Sequence, residues 1–212
     1  MIRGAIFDLD GTLLDSMPVW DTVAEDYLRS LGKEPEEDLR ERFRTYSLRQ
    51  SAEHYRAHYG VGLSVSEIMN GINRMVERAY LESVPLKPGV AEFLGRLQAA
   101  GVKMCVATVT DKALAQAALT RCGVMPCFSG IFTCAEVGHG KDEPYLYREA
   151  LRSLGTGKRE TAVFEDSLYA LKTAKADGFL TVGIADAAEP DQAALRALAD
   201  VYITDYAAAP LP

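Results

Sequence analysis

The run Ala-Ile-Phe-Asp-Leu-Asp-Gly-Thr-Leu-Leu-Asp at residues 5–15 sets Asp8 and Asp10 two positions apart at the end of an apolar stretch. Residues i and i+2 of a strand point the same way, so the two carboxylates face each other or nearly so. Like charges that close repel, and a chain that keeps both needs compensation nearby. Three other apolar segments offer polar residues at or just past their ends. Thr108 closes Val-Lys-Met-Cys-Val-Ala-Thr, Lys141 lies in the loop after residues 130–134, and Glu165-Asp166 closes Thr-Ala-Val-Phe-Glu. If these segments are neighbouring strands, four carboxylates, one hydroxyl and one ammonium converge on one rim. Four carboxylates without a cation would be badly destabilised. A hard divalent ion with oxygen ligands resolves this, and Mg²⁺ suits a small carboxylate set that also meets a phosphate. Asp8, Asp10, Glu165 and Asp166 are therefore the metal candidates. Thr108 and Lys141 are candidates to bind the oxygens of a phosphoryl group.

The elements that must position these residues are legible in the periodicity. Residues 2–8 are nearly continuously apolar, as in a strand buried on both faces of a parallel sheet. From residue 16 the period changes. Trp20, Val23, Ala24, Tyr27, Leu28 and Leu31 recur at helical spacing before Gly32. Further helices are predicted over 36–44, 47–59 and 65–82, the last opening on the capping-box pattern Ser64-x-x-Glu67. Two prolines and a glycine in Val-Pro-Leu-Lys-Pro-Gly, residues 84–89, mark a boundary. Beyond it helices (89–100, 111–122, 144–154, 168–177, 190–199) alternate with strands (102–108, 130–134, 161–165, 180–184, 201–204). That alternation predicts an α/β fold, a Rossmann-like parallel sheet with helices on both faces. An all-helical cap is inserted after the first strand. The expected domains are an α/β core of 1–15 and 85–212 and a helical cap of 16–84. In open parallel sheets ligands bind at the carboxyl ends of the strands, where the candidate residues fall.

Composition narrows the partners. The 212 residues carry a net charge of −7, which argues against nucleic acid. No apolar run approaches the ~18 residues of a membrane span. No basic segment followed by a long apolar stretch opens the chain, so no signal peptide is expected. The expectation is a cytoplasmic protein, monomeric, with a small phosphorylated metabolite as partner. Cys105, Cys122, Cys127 and Cys134 form no Cys-x-x-Cys pair and read as plain thiols. An EF-hand loop starting at Asp8 is rejected, because Thr12, Leu13 and Val19 occupy its diagnostic positions. His54 and His58 share a helix at i, i+4 without an apparent third ligand and read as packing or surface residues.

Taken together, Asp8-Leu-Asp10-Gly-Thr12, Thr108, Lys141 and Glu165-Asp166-Ser167 resemble the four ordered motifs of the haloacid dehalogenase superfamily. The helical insertion resembles the cap of its subfamily I, with β-phosphoglucomutase-like and phosphoglycolate phosphatase-like members nearest. The resemblance spans nearly the whole chain. It implies Asp8 as nucleophile forming an aspartyl phosphate, and Asp10 as general acid for the leaving alcohol and then base for water. It implies Mg²⁺ held by Asp8, the backbone carbonyl of Asp10, Asp166 and Glu165, with Glu165 either touching the metal or orienting the site. Two departures are visible. Lys141 is followed by Asp142-Glu143-Pro144-Tyr145 where the family often has Pro-x-Pro-Asp, and Ala170 stands where a glycine is common.

Dehalogenases of this superfamily normally lack the second aspartate, so Asp10 implies phosphoryl transfer. The remaining choice is hydrolysis against a mutase. Mutase caps carry a loop resembling Gly-Val-Ser-Arg-Glu that grips a second phosphate. The nearest stretch here, Thr45-Tyr46-Ser47-Leu48-Arg49, lacks the glycine and displaces the arginine by one position. One position on a helix of ~3.6 residues per turn redirects a side chain by about 100°. The expected function is Mg²⁺-dependent phosphatase, with a β-phosphoglucomutase-type mutase as the alternative. A non-catalytic sensor is disfavoured by the intact motifs. Trp20, Arg44, Tyr46 and Arg49 are candidates for substrate contacts from the cap.

Overall fold

The computed structural model describes residues 2–43 and 46–211. The chain forms two compact units, one of Met1–Asp15 with Pro85–Pro212 and one of Ser16–Val84.

In the first unit a six-stranded sheet runs β1 (Gly4–Phe7), β2 (Lys103–Thr108), β3 (Ile131–Thr133), β4 (Thr161–Glu165), β5 (Leu180–Ile184) and β6 (Val201–Ile203). The spatial order is β3-β2-β1-β4-β5-β6, and every pairing is parallel. The chain builds outward from β1 in one direction, then returns to start β4 on its other side. The strand order therefore reverses between β1 and β4, which is where open α/β sheets leave a crevice for ligands.

Alternation along the central strands sends neighbouring side chains to opposite faces. Ile6, Cys105, Ala107 and Val163 pack on Leu146, Tyr147, Ala150 and Leu154, all from the helix Tyr145–Leu154. Phe7 and Phe164 stack at 4.2 Å between centroids, and Phe93, from the helix Val90–Ala99, meets Phe164 edge-on at 5.9 Å. Both faces are thus covered, which explains why β1 and β4 are buried along their whole length. The strands and helices lie where periodicity placed them, with ends shifted by up to three residues: β1 is shorter than 2–8, and the helix predicted from residue 36 begins at Leu39. The structure adds a short helix, Cys134–Val137, and two 3₁₀ turns that the pattern did not announce.

Among the described residues the second unit has four helices, α1 (Met17–Ser30), α2 (Leu39–Phe43), α3 (Leu48–Tyr59) and α4 (Val65–Glu82). The box at Ser64–Glu67 forms, and a second one, Ser47 with Gln50, opens α3. Val23, Tyr27 and Leu28 of α1 and Ile68, Ile72, Val76 and Tyr80 of α4 are buried. Tyr55 of α3 is fully buried and donates its hydroxyl to Ala24 O at 2.6 Å. His54 is buried against Phe43, and its ring lies 4.1 Å from that of His58. No helix among the described residues is long and apolar enough to cross a membrane.

Gly71 makes the α1–α4 packing possible. A Cβ there would lie 2.3 Å from the Tyr27 hydroxyl and 2.5 Å from its ring. Gly71→Ala improves helix propensity by about 1 kcal/mol, but overpacking against a buried, rigid ring costs ~1–3 kcal/mol. Net destabilisation is expected. A thermal melt should show Tm lowered by a few degrees, and the double variant with Tyr27→Leu should recover part of the loss.

Candidate active site

The carboxyl ends of β1, β2 and β4 bring the predicted polar residues to one cleft. Asp8, Asp10, Thr108, Val109, Lys141, Glu165, Asp166, Ser167 and Tyr169 line a cavity of about 170 Å³. The reason is local. Asp8 continues β1, its N–H donating to Phe164 O at 2.9 Å, so it leaves the sheet beside the end of β4. Glu165 ends β4, and Asp166 follows it past the switch point. Lys141 arrives from the loop before the helix Tyr145–Leu154 and is 4% exposed, although it lies outside the sheet.

Lys141 Nζ donates to Asp8 Oδ1 and, at 2.6 Å, to Glu165 Oε1. Tyr147 Oη donates to the same Glu165 oxygen at 2.8 Å. Thr12 Oγ1 donates to Asp166 Oδ1 at 2.8 Å. Between Asp10 and Thr12 the chain passes so close to Asp166 that a Cβ on Gly11 would lie 2.4 Å from Oδ2. Gly11 also has φ +76°, which a side chain would strain. Lys87, next to the boundary at Val84–Pro85, closes the turn from beneath. Its Nζ donates to Gly11 O at 2.7 Å, Ala185 O at 2.8 Å and Asp186 Oδ2 at 2.7 Å.

Burial dominates the electrostatics. It pushes the Asp8 carboxyl well above its ordinary value, opposed by the Lys141 ammonium and reinforced by Glu165, Asp166 and Asp10. Asp166 is raised to about 7, by burial first and then by Glu165. Burial also works against the charge on Lys141, but Asp8 and Glu165 overcome it and hold the ammonium protonated. Tyr147 stays a neutral donor, because burial and the Glu165 carboxylate both raise its hydroxyl.

Asp8, Glu165 and Asp166 each offer an oxygen within 4.8 Å of the others. Three buried carboxylates facing one ammonium make a hard, anionic oxygen set that fits a divalent cation such as Mg²⁺. The Asp10 carboxylate is not part of this set; it is half-buried and accepts from Thr110 Oγ1. Of the metal candidates, Asp10 therefore offers this cluster no carboxylate.

The four residues proposed for the helical unit separate. Trp20 and Tyr46 line one cavity of about 230 Å³ together with Asp21, Arg40, Leu48 and Tyr55. Trp20 Nε1 donates to Tyr80 Oη at 3.1 Å. Arg49 is exposed and does not line that cavity. Arg44 lies outside the described residues.

Sequence reasoning passed over Thr110, Tyr147 and Lys87 as contributors. Thr110 carried a signal, a second hydroxyl two residues beyond Thr108. Tyr147 carried none, since it reads as one more apolar position on a helix face.

Residues 2–178 match the haloacid dehalogenase-like hydrolase family. The chain is 30% identical over 192 residues to protein CbbY of Rhodobacter capsulatus, covering 85% of this chain and 84% of that protein. It is 29% identical over 155 residues to hexitol phosphatase A of Escherichia coli, covering 72% and 69%. A solved structure from Thermotoga maritima, provisionally assigned as a beta-phosphoglucomutase, superposes with a TM-score of 0.86 at 25% identity, covering 97% and 95%. The chain belongs to the haloacid dehalogenase-like hydrolases. It is an enzyme of that family's phosphoric monoester hydrolase type.

The cluster makes a pH-dependent prediction. A carboxyl whose folded pKa is raised to about 7, as for Asp166, binds its proton more tightly folded than unfolded, so stability falls as pH rises between the two pKa values. The penalty begins near the unfolded value of about 4 and is complete above about 7. In chelator, Tm should fall from pH 5 to 7.5. Saturating Mg²⁺ should remove the fall, and Asp166→Asn should reduce it without metal, the raised Asp8 carboxyl leaving a remainder. A chelated protein equally stable across that range would show that Asp166 is ionised without a cation.

Proposed function

We propose that the chain is a Mg²⁺-dependent phosphatase acting on a small phosphorylated metabolite through a phosphoenzyme on Asp8. The observation that carries this reading is the convergence of Asp8, Asp10, Thr108, Lys141 and Asp166 on one cleft. An Asp8 oxygen attacks phosphorus and the ester P–O bond breaks. Asp10 gives its proton to the departing alkoxide. Water then attacks phosphorus, Asp10 takes its proton, and the acyl-phosphate P–O bond breaks to free inorganic phosphate and restore Asp8. Lys141 offsets charge on the transferring oxygens while orienting Asp8, and the Thr108 hydroxyl donates to one of them. Mg²⁺ on Asp8, Asp166, Glu165 and the Asp10 carbonyl would supply a Lewis acid for the phosphoryl group. Catalysis on this reading is mostly positioning and charge.

The names of the relatives, hexitol phosphatase among them, favour a phosphorylated sugar or sugar alcohol. The Ser16–Val84 unit is assigned the part of a cap that supplies substrate contacts and excludes water. The net charge of −7 argues against nucleic acid as a partner, and the reading places the enzyme in the cytoplasm and favours a monomer.

Asp8→Asn should abolish phosphate release, by on the order of 10³-fold or more, with circular dichroism and Tm near wild type. Phosphate release across a panel of sugar phosphates, with and without Mg²⁺, tests the whole reading; turnover by Asp8→Asn, or full activity in chelator, would refute it.

Hydrolysis is favoured over intramolecular transfer by α3. Leu48, at the position where a mutase would carry its arginine, opens the helix and lines the cavity with Trp20 and Tyr55; the exposed Arg49 stands one residue on and is not among the residues lining that cavity. A leucine there cannot grip a second phosphate. β-Glucose 1-phosphate should therefore yield free phosphate faster than glucose 6-phosphate. Rapid isomerisation, primed by a bisphosphate and with little phosphate released, would establish the mutase instead.

A further inference from the structure

The acid–base residue is the carboxylate least enclosed by the site. Asp8, Glu165 and Asp166 are buried, whereas Asp10 is half-buried. A half-buried carboxylate has more rotamers open to it than an enclosed one, and only some of them bring an oxygen to a departing alcohol. The segment just beyond β2 limits that freedom. Thr110 Oγ1 donates to Asp10 Oδ2 across a hundred residues of sequence. Thr110 is itself held, its N–H donating to Thr108 Oγ1 at 3.0 Å, and a β-branched side chain has few χ1 choices. The Thr110 hydroxyl therefore has a set direction before substrate arrives.

The same three residues prepare a second group. The Thr108 oxygen already accepts from the Thr110 N–H, so its own proton is left to donate, and Thr108 is buried at the wall of the cleft. Thr108-Val109-Thr110 thus presents one hydroxyl to the phosphoryl site and a second to Asp10.

We infer that Thr110 is a positioning residue for Asp10, holding the carboxylate where it can protonate the leaving oxygen during phosphoenzyme formation. The inference rests on Asp10 being the general acid. Thr110 does not touch the reacting atoms; it acts through Asp10.

A leaving group of high pKa needs a proton as the ester bond breaks, and one of low pKa does not. Positioning of the acid should therefore matter for one class of ester only. The test compares kcat/KM, which reports phosphoenzyme formation, for an alkyl ester (a turned-over sugar phosphate) and for p-nitrophenyl phosphate. General acids contribute typically 10²–10⁴-fold, and misplacement forfeits part of that. Thr110→Val should lower kcat/KM for the alkyl ester about tenfold and for the aryl ester less than about twofold. Thr110→Ser, which keeps the hydroxyl, should restore most of the alkyl activity, and Tm and inhibition by inorganic phosphate should stay near wild type for both variants. An equal loss on both esters, no loss on either, or failure of Thr110→Ser to restore activity would overturn the inference. Asp10→Asn separates its failure from that of the underlying reading. If Asp10→Asn shows the ester-dependent loss and Thr110→Val does not, Thr110 has no positioning role and Asp10 keeps its own. If Asp10→Asn lacks that dependence, the acid assignment falls and the inference falls with it.

Discussion

Three buried carboxylates share one buried ammonium where the sheet's strand order reverses, and the surrounding structure follows from that imbalance. Fully ionised, Asp8, Glu165 and Asp166 against Lys141 leave two negative charges unbalanced. Taking a carboxylate out of water is costly unless it is paired and hydrogen-bonded. Each acid accordingly has a donor: Lys141 serves both Asp8 and Glu165, Tyr147 adds to Glu165, and Thr12 serves Asp166. These three donors come from the turn after β1 and from the segment that runs through Lys141 into the helix Tyr145–Leu154. Removing one leaves a buried acceptor unsatisfied, so the site and the fold around it are hard to change independently. The remaining negative charge is what a divalent cation would balance.

Rigidity at that point is supplied by backbone as much as by side chains. Asp8 is anchored to Phe164 by the last parallel hydrogen bond between β1 and β4. The chain then turns tightly, with Gly11 pressed on Asp166 and its carbonyl held by Lys87. Tyr206, near the end of the chain, donates to Thr12 O at 3.0 Å. The turn bearing Asp10 and Thr12 is thus held by Asp166, Lys87 and Tyr206, which suits a site whose catalytic power depends on placement.

The helical unit is built on different terms. Its interior is aromatic, with Tyr27, Tyr55 and Tyr80 buried and the cavity beside them walled by Trp20, Phe43 and Tyr46. Where the core invests in charge, this unit presents apolar rings with an Asp21–Arg40 ion pair near the rim.

The amino-acid sequence by itself determined the alternation of strands and helices, because burial on two faces, or along one helical stripe, writes a period that any window of ten residues displays. It also exposed Asp8, Asp10, Thr108, Glu165 and Asp166, because a polar residue at or just past the end of an apolar run stands out locally, whereas Lys141, in the loop after residues 130–134, stood out only with the other motifs. The strand order was not legible: alternation says that a sheet is parallel, not that β4 lies beside β1 on the side opposite β2. The pairings Thr110–Asp10, Thr12–Asp166 and Tyr147–Glu165 were equally out of reach. Each joins residues far apart in sequence, or hides a donor inside an ordinary helix pattern, and each depends on which strand ends meet and in what register. Periodicity reports what each residue's environment must be; only the packed sheet decides which residue supplies it.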